Sequence, residues 1–395
     1  MADVRVIAAL RVHRTYHPPP GAAASAAASA ERRQACAQLC AKTARAVQTL
    51  VGATGLRAVL VAYPAHDPAL AAGLLAALRA DGAEAHGLHV ATDAAAEATP
   101  SLPPPPGKAL VRLVAVAPWG AFVPALNALL VAARQTPVPR GDGGACGLPD
   151  PSPAVATHVL FISVEVTLQA SALATLCRHA AQPGILVVGP ALEGHTLDDD
   201  PVAAAPATEE AAEAAADAAA AAAAVGAGAD ADEPIDADAD ADADVDVDNQ
   251  NMAPPASETE TETSERPLSG TTCPWNTCAL WHLAALQRTG FLGVSEGLAL
   301  PDGTACEGGV EEVAVVALHQ HLRLPIRGAR LLVLPPAAVV WATTGTTAGG
   351  SWETPERAAW HRRKMASKQR RAADQGVLLR LPLSRGRVEL LISKH

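Results

Sequence analysis

Aromatic residues and paired cysteines are scarce in this chain. Only 3% of its 395 residues are Phe, Trp or Tyr, so its core has to be built mainly from aliphatic side chains. The seven cysteines are odd in number and scattered, and Cys36 and Cys40 have no second pair that would complete a zinc site. This usage is typical of reduced thiols in the cytoplasm, and it disfavours a disulfide scaffold.

Long apolar runs are also missing. No uninterrupted apolar stretch approaches the roughly 20 residues that a bilayer-spanning helix needs. At the N-terminus, Asp3, Arg5 and Arg11 interrupt the apolar residues, so we expect no signal peptide there. The sequence therefore predicts no transmembrane segment and a cytoplasmic location.

Basic residues are absent from one long stretch. Between Thr196 and Glu265 lie 21 of the 41 acidic residues and no Lys or Arg, which leaves 20 acids against 30 bases elsewhere. Its Ala runs and Asp-Ala repeats bury too little apolar surface to offset the entropy of ordering, and the aspartates repel each other. The repeats also lack the glycine and terminal Glu of an EF-hand calcium loop. We therefore predict a disordered insertion over 196–267 in a single basic domain made of 1–195 and 268–395.

Apolar strands alternate with helix-length segments before this insertion. Runs such as VRVIAALRV (4–12) and LRAVLVAY (56–63) are typical of strands that are buried on both faces. The predicted elements are strands at 4–12, 56–63, 84–91, 110–117, 156–166 and 185–188, and helices at 31–51, 68–80, 121–134 and 170–181. We therefore predict an α/β fold with a Rossmann-like, mainly parallel sheet covered by helices, whose ligands bind at the carboxyl ends of the strands.

Helices dominate the prediction after the insertion. Thr272 or Asn276 is a candidate cap for a helix that ends at Gly290, and the pair Gly309-Val310 opens another. The apolar stripe of the first helix would consist of Ala279, Leu280, Leu283 and Leu286. The remaining predicted elements are strands at 330–334 and 337–341, a basic helix at 357–371 and a terminal hairpin at 377–393.

Carboxylates at two positions are candidates for chemistry. Glu165 ends the apolar strand FISVEV (161–166), where it either caps the strand end or requires a metal, an Arg or backbone donors as partner. Glu311 and Glu312 lie in the first turn of a helix, whose dipole favours negative charge. They are either helix-start charges or a general base.

Tryptophan and basic side chains supply candidate binding groups. Trp275, Asn276 and Trp281 suit the apolar face of a sugar ring or a base, although Trp281 fits core packing equally well. The basic helix suits a diphosphate, a nucleic acid or an anionic membrane; alternatively it is a solvated face or neutralises the acidic insertion. We find no specific nucleic-acid motif.

Taken in order, these segments resemble a GT-A-fold glycosyltransferase of the family-two type. The segments are RVHRTYH (11–17), LVAVAPWGAFVPALNALLVAA (113–133), LFISVEV (160–166), TTCPWNTCALWHLAALQRTGF (271–291) and GGVEEVAVVALHQHL (308–322). The first segment matches the family's polar motif after the first strand, and the second matches a later strand that leads to a Gly and an Asn on the next helix. The third matches the strand with the metal-binding D-x-D. The fourth matches the acceptor segment, and the fifth matches the E-D pair with the catalytic base. Ser163 and Glu165 stand where the family has two aspartates, and Glu312 replaces the Asp of the E-D pair. Only Asp67 lies near the position of the family's nucleotide-binding acidic pair.

The resemblance implies inverting transfer of a sugar from a nucleoside diphosphate sugar to an unknown acceptor. It implies Glu312 or Glu311 as the catalytic base, a metal site of Glu165 and Ser163 for Mn²⁺ or Mg²⁺, and an acceptor site of Trp275, Asn276 and Trp281. The donor-binding residues would be Thr15, Tyr16, Asp67, Trp119, Gly120, Asn127, Ser163, Arg362, Arg363 and Lys364. The altered D-x-D leaves open a catalytically degraded binding or scaffold protein that uses its acidic insertion for interactions. A third hypothesis is the binding of an anionic partner through the basic helix alone.

Overall fold

The structure, a computed structural model, describes residues 4–12, 26–80, 87–92, 108–119, 122–138, 154–195, 197, 261–299, 305–341, 355–381 and 383–393. The chain on either side of residues 197–259 forms one unit. Of the insertion that we predict over 196–267, residues 196 and 198–260 lie outside the described residues.

The helices and strands of the described residues follow the alternation that the sequence predicts. The helices are α1 (Ala26–Thr54), α2 (Pro68–Arg79), α3 (Phe122–Gln135), α4 (Ala170–Ala180), α5 (Leu283–Leu286), α6 (Glu311–His321) and α7 (Pro355–Leu378). The strands are β1 (Val6–Arg11), β2 (Ala58–Pro64), β3 (Leu88–Thr92), β4 (Ala109–Val116), β5 (Pro137–Val138), β6 (Ala154–Val155), β7 (His158–Ile162), β8 (Val166–Leu168), β9 (Ile185–Pro190), β10 (Thr261–Pro267), β11 (Cys278–His282), β12 (Gly297–Ala299), β13 (Ala305–Glu307), β14 (Gly328–Val333), β15 (Val339–Trp341) and β16 (Arg387–Ser393). None of the described helices is long and apolar enough to cross a bilayer.

Ten strands form one sheet in the order β10-β16-β14-β9-β11-β7-β1-β2-β4-β3. Neighbouring strands are parallel except at β11, which is antiparallel to β7 and β9, and at the edge strand β10, which is antiparallel to β16. The prediction of a mainly parallel sheet is therefore confirmed. The chain moves from β1 outward to β2 on one side and later to β7 on the other, so the topological switch point of the sheet lies between β1 and β7.

Helices cover both faces of the sheet. On β2, Val59 and Val61 belong to the core that α1, α2 and α4 complete. Leu60 and Ala62 alternate with them and are fully buried as well, so they face the opposite side, where α3 packs against β1, β2 and β4. Burial on both faces is the reason why these strands appear in the sequence as uninterrupted apolar runs.

The helix that we predict from Thr272 or Asn276 is wrong. The structure has the strand β11 here, followed by the single turn α5. β11 lies between β7 and β9, and its residues from Cys278 to Trp281 are all buried. Burial on both faces of a strand thus prevails over a spacing of apolar residues that also fits a helix. Gly290 has a φ of 63°, the left-handed stop that we predict at this position.

Two boundaries near the edge of the sheet also need correction. The predicted hairpin at 377–393 is wrong, because α7 continues to Leu378 and β16 pairs with β14 and β10. β10 consists of residues 261–267, which the sequence predicts to be the end of the insertion. It pairs with β16 over its whole length, from Thr261 opposite Ser393 onward. The folded domain therefore resumes before residue 268.

Candidate active site

The reversed direction of β11 places the residues before it at the carboxyl edge of the parallel strands. Cys278, its first residue, pairs with Ile162, the last residue of β7. Asn276 therefore lies at the same edge as Arg11, which ends β1, and Ser163, which follows β7. This edge, near the switch point, is where open α/β sheets bind their ligands.

Two adjacent carboxylates begin α6 at this edge. Val310 has a φ of 53°, and the turn it makes leaves Glu311 and Glu312 with only 7% and 5% of their surfaces exposed. Asn276 contacts both. Its backbone N–H donates to Oε1 of Glu312 at 2.9 Å, and its side-chain Nδ2 donates to Oε1 of Glu311 at 3.4 Å. Nε1 of Trp281 donates to Oδ1 of Asn276 at 2.9 Å and so fixes the orientation of the amide.

The two carboxylates differ in their environments. Burial, and after it the charge of Glu312, raises the pKa of Glu311 to about 7. Oε2 of Glu312 is buried and has no hydrogen-bond partner among the described residues. Buried polar atoms without a partner are rare in native proteins. This oxygen is therefore the strongest candidate in the site for contact with a ligand proton.

Lys368 of α7 brings a positive charge to the pair. Its Nζ lies 3.4 Å from the centre of the Trp275 indole, and the ring of His195 stacks on the same indole at 3.8 Å. Both groups are too close to share one face, so they cover opposite faces of the ring. Nε1 of Trp275 donates to the carbonyl oxygen of Gly270 at 2.9 Å. Burial lowers the pKa of Lys368 to about 8, although the neighbouring carboxylates raise it.

This stacking gives Trp275 a different position from the one we expect of an acceptor platform. The side chain is 4% exposed, and neither face of its ring is open to a sugar. Trp281 is fully buried in the core. Both tryptophans therefore position polar groups of the site, namely Lys368 and Asn276, and neither offers a ring face for stacking.

The helix α7 is fitted closely against the segments that carry the site. A Cβ on Gly270 would lie 2.5 Å from the carbonyl oxygen of Lys368, so only glycine allows this approach. One turn further on, Nη1 of Arg371 donates to the carbonyl oxygen of Gly308, just before α6, at 2.7 Å. The approach of α7 to these segments is therefore fixed at Gly270 and at Gly308.

A second cation faces the carboxylates from β1. The guanidinium of Arg11 lies over the rings of Phe122 and Trp119, at 4.1 and 5.0 Å from their centres. Burial lowers the pKa of Arg11, whereas the charges of Glu296 and Glu311 raise it. Trp119, which we predict as a donor-binding residue, thus supports an arginine at the edge of the site.

Positively charged side chains lie near the predicted metal ligands. Nζ of Lys42, on α1, donates to Oε1 of Glu165 at 3.3 Å. Oγ of Ser163 accepts from the backbone N–H of Glu165 at 3.3 Å. The charge of Glu165 also raises the pKa of Lys364, which burial lowers more strongly. No group of three or more His, Cys, Asp or Glu side chains that could hold a metal ion occurs among the described residues. One carboxylate beside two ammonium groups does not fit Mn²⁺ or Mg²⁺, which require several oxygen ligands.

Two of the predicted donor-binding residues have structural contacts. Oδ1 of Asp67 accepts from the backbone N–H of Leu70 at 3.0 Å and caps α2. The amide of Asn127 accepts from the backbone N–H of Phe291 at 2.8 Å and donates to its carbonyl oxygen at 3.0 Å. These bonds attach α3 to the segment that follows α5.

The other predicted donor-binding residues are distributed as follows. Arg362 and Arg363 are exposed on the first half of α7, and Lys364 lies beside them with an exposed side chain whose ammonium group is partly buried. Thr15, Tyr16 and Gly120 lie outside the described residues. The structure thus brings together Asn276, Glu311 and Glu312 from the prediction, and it leaves Glu165 with Lys42.

Four positively charged or aromatic groups of the site are not among the predicted site residues. These are Arg11, Lys42, His195 and Lys368. A signal for Lys368 exists, since Lys364, Lys368 and Arg371 recur at i, i+4 and i+7 and so share one face of the helix. No pattern in the sequence pairs Lys42 with a carboxylate 123 residues away.

Comparison with known proteins does not identify this site. No family model matches the chain, and comparison with curated proteins and with solved structures finds no match.

Proposed function

We propose that this protein is a GT-A-like glycosyltransferase that transfers a sugar, with inversion, from a nucleoside diphosphate sugar to an acceptor hydroxyl. The proposal is supported by the order of the motifs along the chain and by the mainly parallel sheet, in which the acceptor and base segments meet at the carboxyl edge. The observation that carries it is the buried Glu312 carboxylate, which is held by one oxygen and leaves the other without a partner among the described residues.

The proposed reaction uses this free oxygen as a general base. Oε2 of Glu312 takes the proton of the acceptor hydroxyl as the acceptor oxygen attacks the anomeric carbon. The bond between that carbon and the diphosphate oxygen breaks, and the electron pair leaves with the nucleoside diphosphate. Because attack and departure occur on opposite faces of the sugar, the configuration at the anomeric carbon inverts.

Neighbouring groups hold this base in place. The backbone N–H of Asn276 fixes Oε1 of Glu312, so that rotation of the carboxylate is restricted. Lys368 supplies a positive charge near the pair, and the indole of Trp275 holds its Nζ. Preorganised charge of this kind stabilises a transition state without reorganisation at the moment of reaction.

The test is the turnover of UDP- and GDP-sugars by wild type and by Glu312→Gln. Glutamine keeps the shape of the side chain and an acceptor at Oε1 for Asn276, but it cannot take a proton. We expect kcat for donor hydrolysis or transfer to fall by about 10²- to 10⁴-fold, with little change in donor affinity.

A matched control is Asp374→Asn, which removes one carboxylate charge from an exposed position of α7. It should leave kcat unchanged. If Glu312→Gln turns over donors as fast as this control, Glu312 is not the base. If neither UDP- nor GDP-sugars bind to the wild type, with or without Mn²⁺, the glycosyltransferase proposal fails.

The ion pair between Lys42 and Glu165 favours a second candidate function, a GT-A-like binding protein without catalysis. The pair occupies the position at which the resemblance places two metal-binding carboxylates. The same assay separates the two candidates. If the wild type binds a nucleotide sugar but shows no turnover that is lost in Glu312→Gln, the binding-protein candidate is supported.

A further inference from the structure

The structure disagrees with the resemblance at the position where the resemblance implies a metal ion. Glu165 is the single carboxylate there, and its Oε1 already accepts from Nζ of Lys42 at 3.3 Å. The side chains of Lys42 and Glu165 are 33% and 40% exposed, so a solute can reach the pair. The ammonium group of Lys42 would repel an incoming divalent cation.

The face of α7 that is turned toward the site continues this positive charge. Lys364 precedes Lys368 by one helical turn, and Arg371 follows it by another. Arg371 is fixed to the loop before α6, and Lys368 is fixed over Trp275. Lys364, at the other end of the row, lies within the electrostatic influence of Glu165. The row therefore leads from the carboxyl end of β7 to the carboxylates of α6.

The charges along this row do not cancel. Among the described residues along the row, four cationic side chains stand against three carboxylates. The cations are Lys42, Lys364, Lys368 and Arg371, and the carboxylates are Glu165, Glu311 and Glu312. The excess is positive before any ligand is bound. Ammonium groups on flexible stems bind phosphate oxygens as point charges without a metal.

We propose that the diphosphate of the donor is bound and neutralised by lysine side chains, chiefly Lys42 and Lys364, and without a divalent cation. In this arrangement Glu165 pairs with Lys42 in the free protein, and the diphosphate replaces Glu165 as the partner of Lys42 on binding. The inference rests on the proposed function in that it assigns the same site a mode of donor binding. It differs from the resemblance in the role of Glu165, which competes with the ligand and does not recruit it.

A Glu165 that competes with the diphosphate and a Glu165 that recruits it through a metal predict opposite effects on Kd when its charge is removed. This difference provides the test. We would titrate the full chain calorimetrically with UDP, GDP and inorganic pyrophosphate, with excess EDTA and then with Mn²⁺ or Mg²⁺. The lysine site predicts the same Kd within about twofold under both conditions and weaker binding at higher ionic strength. Glu165→Gln removes the competing charge, so it should bind at least as tightly as the wild type. Lys42→Met and Lys364→Met should each weaken binding by about tenfold.

Lys108→Met is the matched control, because Lys108 precedes β4 and lies at the amino edge of the sheet. Its Kd should equal that of the wild type. Binding that disappears in EDTA, returns with Mn²⁺ and is abolished by Glu165→Gln would overturn the inference and leave the glycosyltransferase proposal intact. If pyrophosphate alone binds, through Lys42 and Lys364 and in EDTA, the anion site stands and the nucleotide-sugar function fails. If none of the three probes binds, both fail.

Discussion

Replacing Glu311 by glutamine should stabilise the protein at neutral pH but not in acid. The carboxyl is buried next to Glu312, and these two causes raise its pKa from 4.5 to about 7. An acid whose pKa is raised in the folded state binds its proton more tightly there than in the unfolded chain. Its ionisation therefore destabilises the fold, by an amount that is absent below pH 4.5, grows between pH 4.5 and 7, and is complete above pH 7.

The magnitude follows from the size of the shift. A rise from 4.5 to about 7 corresponds to about 3 kcal/mol of unfolding free energy. Glutamine is neutral at every pH and keeps an oxygen to accept from Nδ2 of Asn276. We therefore expect Glu311→Gln to exceed the wild type in stability by about 3 kcal/mol at pH 7.5, whereas at pH 4.5 and below the two proteins should be nearly equal.

The assay is urea unfolding of both proteins at several values between about pH 4.5 and pH 7.5, with the m-values compared at each pH. Asp374→Asn serves as the control, because it removes a charge from an exposed position and should show no such trend. A stability difference between Glu311→Gln and the wild type that does not grow with pH would refute the reasoning. It would mean that Glu311 is not held in a desolvated site beside a second carboxylate.

Two further predictions concern the backbone around the site. Gly309→Ala should destabilise the fold by about 1–3 kcal/mol in urea unfolding, because φ is 100° and the new Cβ would lie 2.5 Å from Nη1 of Arg371. Replacing residues 200–259 by a short Gly/Ser linker should leave the urea midpoint unchanged, since loop length adds only slowly to closure entropy. Extending this deletion to Pro267 should lower the midpoint, because it removes the edge strand β10; equal midpoints for the two deletions would contradict that role.

The sequence predicted the parallel sheet because buried parallel strands have a simple signature. β1 and β2 are uninterrupted apolar runs of strand length, as expected of strands that are buried on both faces. At β11 the local pattern is ambiguous. Its apolar residues also fit a helix, and only its position between β7 and β9 decides the matter. A choice that depends on distant strands is not contained in a local pattern.

The site shows a similar division between local and distant causes. Glu311 and Glu312 could be found because the start of a helix can be recognised in sequence, and Asn276 because it lies beside a tryptophan. The partners of Glu165 and Trp275 could not be found, because Lys42 and Lys368 approach them from remote elements. Both lysines belong to helices whose charged residues look like ordinary surface groups. Their role appears only when the sheet brings those helices to one edge.

The position of β10 has a consequence for engineering this protein. β9 ends at Pro190 on the carboxyl edge of the sheet, and β10 begins at Thr261 on the same edge, opposite the end of β16. In the order β9-β14-β16-β10 the two points are three strand spacings apart, about 14 Å. Most folded domains have termini that can span such a gap. A fluorescent reporter inserted between Leu197 and Thr261 would therefore be tethered at both ends beside the carboxyl edge of the sheet, where the proposed donor site lies. This segment is therefore a suitable insertion point for a sensor of the proposed ligand.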